Sequence, residues 1–271
     1  MTTPRYDTIL ITGAAGMLGT ELRKGLAPFA RKLRLNDRVE IADLQPNEEA
    51  VICDLGDMAA VSGMVEGVDA IVHFGGASRE RPWDDVLNST IAGSYNIYES
   101  ARQHGVKRIV FASSVHAIGF HKLESHIDAT TPPRPDTLYG LSKCFVEDLS
   151  RLYWDKWGIE TLCLRIFSSF PEPEDHRHLW SWLSFRDCVQ YVTRGLMAPR
   201  VGHTIAFGMS DNRLKVVDDS KAGHIGYQPQ DNTEAFRAKV EGSVPWPDPH
   251  APEVKRYGGV YVTFPHPDDP A

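Results

Sequence analysis

The chain has only four cysteines, and Cys53, Cys144, Cys163 and Cys188 are scattered, without disulfide-framework or metal-ligand spacing. This argues against a stapled secreted scaffold or a cysteine metal site, and no metal is expected. It fits a reducing cytoplasm, where a buried cysteine packs as a small apolar residue. No apolar run is long enough to cross a bilayer. Met1–Asp7 is polar and carries no apolar signal segment, so a protein that is not exported is expected, and the sequon Asn88-Ser89-Thr90 is then a chance match. Positive charge is not in excess either. A formal net charge of −7 argues against non-specific nucleic-acid binding. Repeats and low-complexity runs are absent, while 271 residues suffice for one large domain or a domain with an appended lobe.

What is present is organised around Thr8–Gly19. Thr8-Ile9-Leu10-Ile11 reads as a strand buried on both faces of a parallel sheet. It breaks into Gly13-x-x-Gly16-x-x-Gly19 and then a helix on which Leu18, Leu22, Leu26 and Phe29 share a face. In such a turn Gly13 permits the bend, Gly16 lets a pyrophosphate approach the backbone, and Gly19 lets the helix pack closely on the strand. The helix N-terminus then offers free N–H groups to the anion. Glycine turns of this kind also occur with no ligand, so the motif alone does not decide the matter.

Strands and helices alternate through the first two-thirds, the mark of right-handed βαβ units. Further strands are expected at Leu33–Asn36, Ala50–Cys53, Ala70–Phe74, Arg108–Ala112 and Thr161–Arg165. Helices are expected from Trp83 to Ala101 and from Tyr139 to Trp157, the latter burying Leu149, Leu152 and Tyr153. The fold class is α/β, a Rossmann doubly wound parallel sheet over residues 1–167. Residues 168–271 are expected to form a small substrate lobe packed with it as one compact unit. Within them Pro171–Arg177 is loop-like, Asp187–Met197 helical and Thr204–Phe207 a possible strand. From Pro245 the tail carries prolines to Pro270, too dense for a regular helix, and is expected to run extended over the surface.

Three groups of residues carry chemistry. Asp37 ends the second strand, where a carboxylate can accept both ribose hydroxyls of an adenosine and repel a 2′-phosphate. This favours NAD over NADP, although the neighbouring Arg38 could grip that phosphate. Asp54, after the third strand, is placed to meet the adenine edge. Tyr139 and Lys143 stand at i and i+4, one face of a helix, with Ser114 upstream at a strand's carboxyl end. A phenol with an ordinary pKa of about 10 is a poor base at neutral pH, and a nearby cation should lower it. Ser114 can hold the reacting oxygen beside the phenol.

With these motifs the sequence resembles the extended short-chain dehydrogenase/reductase superfamily, the NAD-dependent epimerase/dehydratase group, and within it bacterial uronate dehydrogenases. The resemblance covers nearly the whole chain. Its carriers are Thr12-Gly13-Ala14-Ala15-Gly16, Val72–Ser78, Arg108–Ser114, Pro135–Phe145 and Asp231–Phe236. It implies that Tyr139 is the base, that Lys143 holds the nicotinamide ribose and tunes the phenol, and that Ser114 orients the substrate hydroxyl. It also implies a cofactor site of Gly13, Ala15, Gly16, Met17, Leu18, Gly19, Asp37, Asp54, Leu55, Gly75, Gly76, Ala77 and Thr90, shared with Tyr139 and Lys143. Ser78, Ser114, Val115, His116, Tyr139, Ser168 and Arg177 would meet a sugar acid, with Arg177 on its carboxylate. Thr90 stands where the family has Asn, Val115 where it has a substrate-contacting Asn, Phe167 where it has Gly, and Val217 where it has Trp. Those departures put the identity of the sugar in question.

The expected function is therefore NAD-dependent oxidation of a uronate-like sugar acid at C1 to an aldonolactone. An epimerase or dehydratase that retains its NAD, a dehydrogenase of another aldose or hydroxy compound, and a non-catalytic NAD sensor are the rivals. The expected partners are a small sugar acid and further copies of the chain, with neither nucleic acid nor membrane.

Overall fold

The computed structural model describes residues 5–269; Met1–Pro4 and Pro270–Ala271, parts of the polar start and the proline-rich tail, lie outside the described residues. Strand β1 (Tyr6–Thr12) runs into helix α1 (Met17–Leu26) and returns as β2 (Ala30–Asp37). Then come β3 (Glu48–Ile52), α2 (Met58–Val65) and β4 (Ala70–His73). After α3 (Trp83–Val86) and α4 (Gly93–His104) come β5 (Arg108–Ser114), the short β6 (Ile127–Asp128), α5 (Leu138–Trp157) and β7 (Glu160–Ile166). The remainder holds α6 (His178–Ser181), α7 (Phe185–Met197), β8 (His203–Gly208), the short β9 (Val217–Asp218) and α8 (Glu234–Ser243).

Seven strands form one parallel sheet in the order β3-β2-β1-β4-β5-β7-β8. Because side chains alternate along a strand, Ile9 and Ile11 enter one core while Leu10 enters the other. The first core packs against Leu22 and Leu26 of α1 and Val192 and Leu196 of α7. The second packs against Val61 of α2, Ile97 and Tyr98 of α4, and Val146 and Tyr153 of α5. Both faces are covered, which is why β1 reads as an unbroken apolar run. A third, smaller cluster joins Val115, Ile118, Ile127, Phe167, Phe207 and Tyr257. It lies beyond the carboxyl ends of β5 and β7.

The structure departs from several expectations. The seventh strand comes from beyond residue 167, so the sheet draws on the segment read as a lobe. Helix α1 stops at Leu26, and Phe29 closes a 3₁₀ turn imposed by Pro28. The segment from Trp83 is interrupted by a wider π turn over Leu87–Ala92 before α4 continues to His104. Leu152 is exposed, and only Tyr153 of that pair is buried. The tail is not simply extended: Pro252–Lys255 and Gly259–Thr263 form short helical turns, the first opened by a proline at its N-terminus where no N–H is missed.

Candidate active site

The carboxyl ends of β1, β2, β4 and β5 converge on the predicted cradle. Gly13 adopts φ +71°, and a Cβ there would lie 2.8 Å from the Phe74 carbonyl. At Gly19 a Cβ would lie 2.1 Å from the Gly13 carbonyl oxygen, so only glycine lets α1 sit this close to the loop. Helix α1 then starts at Met17 with neither a side-chain cap nor an acid in its first turn, and Ala15, Gly16 and Met17 are exposed. Uncapped N–H groups at a helix N-terminus suit a phosphate. Leu18 is half-buried behind them. Asp37 accepts from the Ala15 N–H at 3.0 Å and from the Arg38 N–H at 2.7 Å, which ties its carboxylate to the loop.

On the other wall, Asp54 is exposed and accepts from the Gly56 N–H at 2.8 Å, while the buried Leu55 packs against Gly75. Gly75 donates its N–H to the Thr12 hydroxyl at 2.9 Å, and Ala77 donates to the Thr90 hydroxyl at the same distance. Thr90 lies in the π turn, so the widened helix turn is what brings its hydroxyl to the Gly75–Ala77 loop. Sequence reasoning missed what holds Thr12. The buried His73 bonds its hydroxyl at 2.8 Å and the Ser94 hydroxyl at 2.9 Å. Burial, and secondarily Lys143, push this imidazole down to about 3, so it stays neutral. A histidine inside an apolar strand, level with Thr12 across the β1–β4 pairing, was the available signal.

Ser114 ends β5, Tyr139 opens α5 and Lys143 follows one turn later, and all three are buried. The Lys143 ammonium lies 5.2 Å from the Tyr139 ring centroid and 5.0 Å from that of Phe111. Tyr139 is held in place from its own backbone: Glu80, from the loop after β4, accepts the N–H groups of Leu138 at 3.1 Å and Tyr139 at 2.8 Å. A carboxylate is favoured at this end of a helix. One expectation is reversed. Burial pushes the Tyr139 phenol up to about 12, with Ser114 alone pulling it down. The ammonium sits over the ring face and does not offset the loss of water. Burial likewise pushes Lys143 down to about 8, against the pull of Glu147 one turn further on.

Beyond the trio, His116 donates or accepts at Nδ1 with Asp136 at 2.8 Å, stacks on Tyr261 at 3.9 Å and meets the Tyr139 ring edge-on at 5.7 Å. The Arg177 guanidinium donates to the Ser168 hydroxyl at 2.6 Å and the Tyr257 carbonyl at 2.7 Å. Its Nε lies against Gly259 without a hydrogen-bond partner, and no carboxylate pairs with it among the described residues. Burial lowers its pKa, opposed by Asp175, Asp136 and Tyr261. Ser78 is exposed at the mouth of the same loop that carries Glu80. Val115 is 1 % exposed and Phe167 9 %, so both face the apolar cluster more than open space. Phe167 meets the rings of Trp180, Phe207 and Tyr257 edge-on, and Val217 packs on the same cluster.

The model of the NAD dependent epimerase/dehydratase family matches residues 9–186. The chain belongs to this family. It is 50% identical to the uronate dehydrogenase of Pseudomonas putida over 97% of its own length and 98% of that protein's. It is also similar in structure to the glucuronic acid dehydrogenase of Chromohalobacter salexigens, with a TM-score of 0.96, 45% identity, and coverage of 98% of this chain and 100% of that one. A mutant uronate dehydrogenase from Agrobacterium tumefaciens complexed with NAD superposes with a TM-score of 0.93 at 46% identity, covering 96% and 98% of the two chains. NAD is the cofactor, and the uncapped start of α1, the Gly13 turn and the Asp37 carboxylate fit an epimerase/dehydratase-family dinucleotide site. Among the described residues no group of His, Cys, Asp and Glu could hold a metal ion.

Proposed function

We propose that this chain oxidises a uronate-like sugar acid at C1 to an aldonolactone, with Tyr139 as the base. The observation that carries the reading is the half-buried Arg177 guanidinium, whose buried Nε lacks a hydrogen-bond partner and which pairs with no carboxylate among the described residues, at the Tyr139–His116 end of the cleft. A substrate carboxylate supplies the missing anion, and a planar donor can hold it by two bonds. Ser168, already bonded to Arg177, extends that contact. The NAD supported by the cradle acts, when bound, as the hydride acceptor. Tyr139, once ionised, receives the proton of the C1 hydroxyl, Ser114 keeps that hydroxyl beside the phenolate, and Lys143 holds the nicotinamide ribose. Ser78, Val115 and His116 complete the contacts to the sugar.

Asp37 favours NAD over NADP, since its carboxylate would face a 2′-phosphate as a like charge. The segment 168–271, apart from β8 and the sheet-covering α7, serves as the substrate lobe. Leu141, Phe145 and Leu152 of α5 and Tyr95 of the adjacent α4 are exposed large side chains, a surface that suits self-association through these two helices. The free thiols agree with a cytoplasmic location. The test is NADH formation against uronic acids, neutral aldoses and hydroxy acids. Stoichiometric NADH with uronates supports the reading. Sugar conversion without net NADH would favour an epimerase or dehydratase, and no turnover on any of them would remove it.

A further inference from the structure

We infer that Asp136 is a positioning residue, fixing His116 in the tautomer that presents a bare Nε2 to the substrate. This rests on the proposed function only for the identity of the substrate; the tautomer itself is a property of the free protein. The Asp136 side chain is wholly buried, although it stands in the loop just before α5. Glycines from distant segments make room for it. A Cβ on Gly119, after β5, or on Gly258, in the tail, would lie 1.8 Å from Oδ2, and one on Gly140 in α5 would lie 3.2 Å from Oδ1. The Gly258 N–H donates to the Gly119 carbonyl at 2.9 Å, so tail and core close around the carboxylate together. A buried carboxylate with so much chain arranged about it must be satisfied by donors.

Those donors run in one direction. The Thr137 hydroxyl accepts from the Gly140 N–H at 3.0 Å, so its own proton is free to go to Asp136 Oδ1, also at 3.0 Å. An ionised carboxylate only accepts, and the His116 Nδ1 at 2.8 Å from Oδ2 must therefore carry the proton. Nε2 is left as an acceptor and has no protein partner among the described residues. The ring is held in place by Tyr261 stacked on its face at 3.9 Å and by the Tyr139 ring edge-on at 5.7 Å. A bare imidazole nitrogen takes a hydroxyl proton and disfavours a carboxylate oxygen. It thus sorts the two ends of a sugar acid, with the carboxylate toward Arg177 and a hydroxyl toward His116.

The first test is nitrogen-15 NMR of histidine-labelled, ligand-free protein, with the His116 signals assigned by their loss in His116→Gln. A protonated Nδ1 and an unprotonated Nε2 are expected; a protonated Nε2 in the native protein would overturn the inference. The second is kinetic. Asp136→Asn, which no longer dictates the proton's place, should raise KM for the sugar acid by about tenfold, the size of one lost hydrogen bond, with NAD affinity unchanged. In a His116→Gln background the same change should alter kcat/KM less than about twofold, because Asp136 acts through His116. Equal losses in both backgrounds would mean that Asp136 serves only the packing of the loop. If Asp136→Asn fails to fold, the NMR result decides alone.

Discussion

At the cofactor end of the cleft the groups that would meet a ligand are, besides the Asp37 carboxylate, backbone N–H groups in a loop shaped by Gly13 and Gly19. At the substrate end they are side chains brought from β5, α5, the loop before α6 and the C-terminal tail. A backbone site is set by conformation and tolerates few changes of shape. A side-chain site can be retuned one residue at a time while its neighbours repack. Val115, Phe167 and Val217, three positions that bear on the sugar in the resemblance, lie in or against one apolar cluster.

The largest effect expected is on the proton transfer that joins the two ends. Tyr139→Phe should lower kcat by ~10²–10⁴ and leave the NAD dissociation constant unchanged. Stopped-flow turnover with calorimetric NAD binding checks both; a variant keeping a tenth of native activity or more would take the phenol out of the mechanism.

Next comes the charge at the substrate end. Arg177→Ala should cost about 2–5 kcal/mol of preference for acids over neutral aldoses, measured as a ratio of kcat/KM values, without weakening NAD. If NAD affinity fell as well, the ends would not be separable in the way their construction implies.

At the cofactor end, Gly13→Ala should lose about 1–3 kcal/mol from the forced backbone alone, since φ +71° strains any side chain, and more from the overlap with Phe74. Weakened NAD binding with sugar selectivity retained is the expected pattern in the residual activity. An equal loss of selectivity would contradict it.

The last effect concerns stability. Lys143 is pushed down to about 8 from 10.5, so between those values the folded protein binds fewer protons than the unfolded chain. Stability from this group therefore rises with pH across that window, and below it the buried ammonium is a penalty. Lys143→Met should raise the Tm of the ligand-free protein near pH 7 and remove the rise between about pH 8 and 10.5. Tyr139 works the other way at higher pH, since a phenol pushed up to about 12 favours the folded state until it ionises. Thermal unfolding against pH in both proteins measures this, and parallel curves would show that Lys143 is not desolvated.

How much was legible in the sequence follows the same division. The sheet, the glycine turn, Asp37 and the Tyr139–Lys143 pair are encoded within short stretches, where strand alternation and helix spacing act directly. Glu80, Asp136 and Tyr261 were not singled out, because each acts through a partner brought near only by the fold. Glu80 lies 59 residues from the Tyr139 N–H it accepts. Tyr261 reaches His116 only because the tail, expected to run extended over the surface, folds into turns between its prolines. The raised pKa of Tyr139 escaped for a related reason: helix spacing placed a cation nearby but said nothing of how much water the fold would remove.

The most direct test follows the substrate's own carbon. A uronic acid labelled with carbon-13 at C1 is given to the native protein with NAD in large excess, and the products are read by NMR within the first turnovers. The account predicts a lactone carbonyl at C1, appearing in step with NADH, one for one. A C1 that keeps its hydrogen while another centre inverts or dehydrates, with no NADH accumulating, would contradict it.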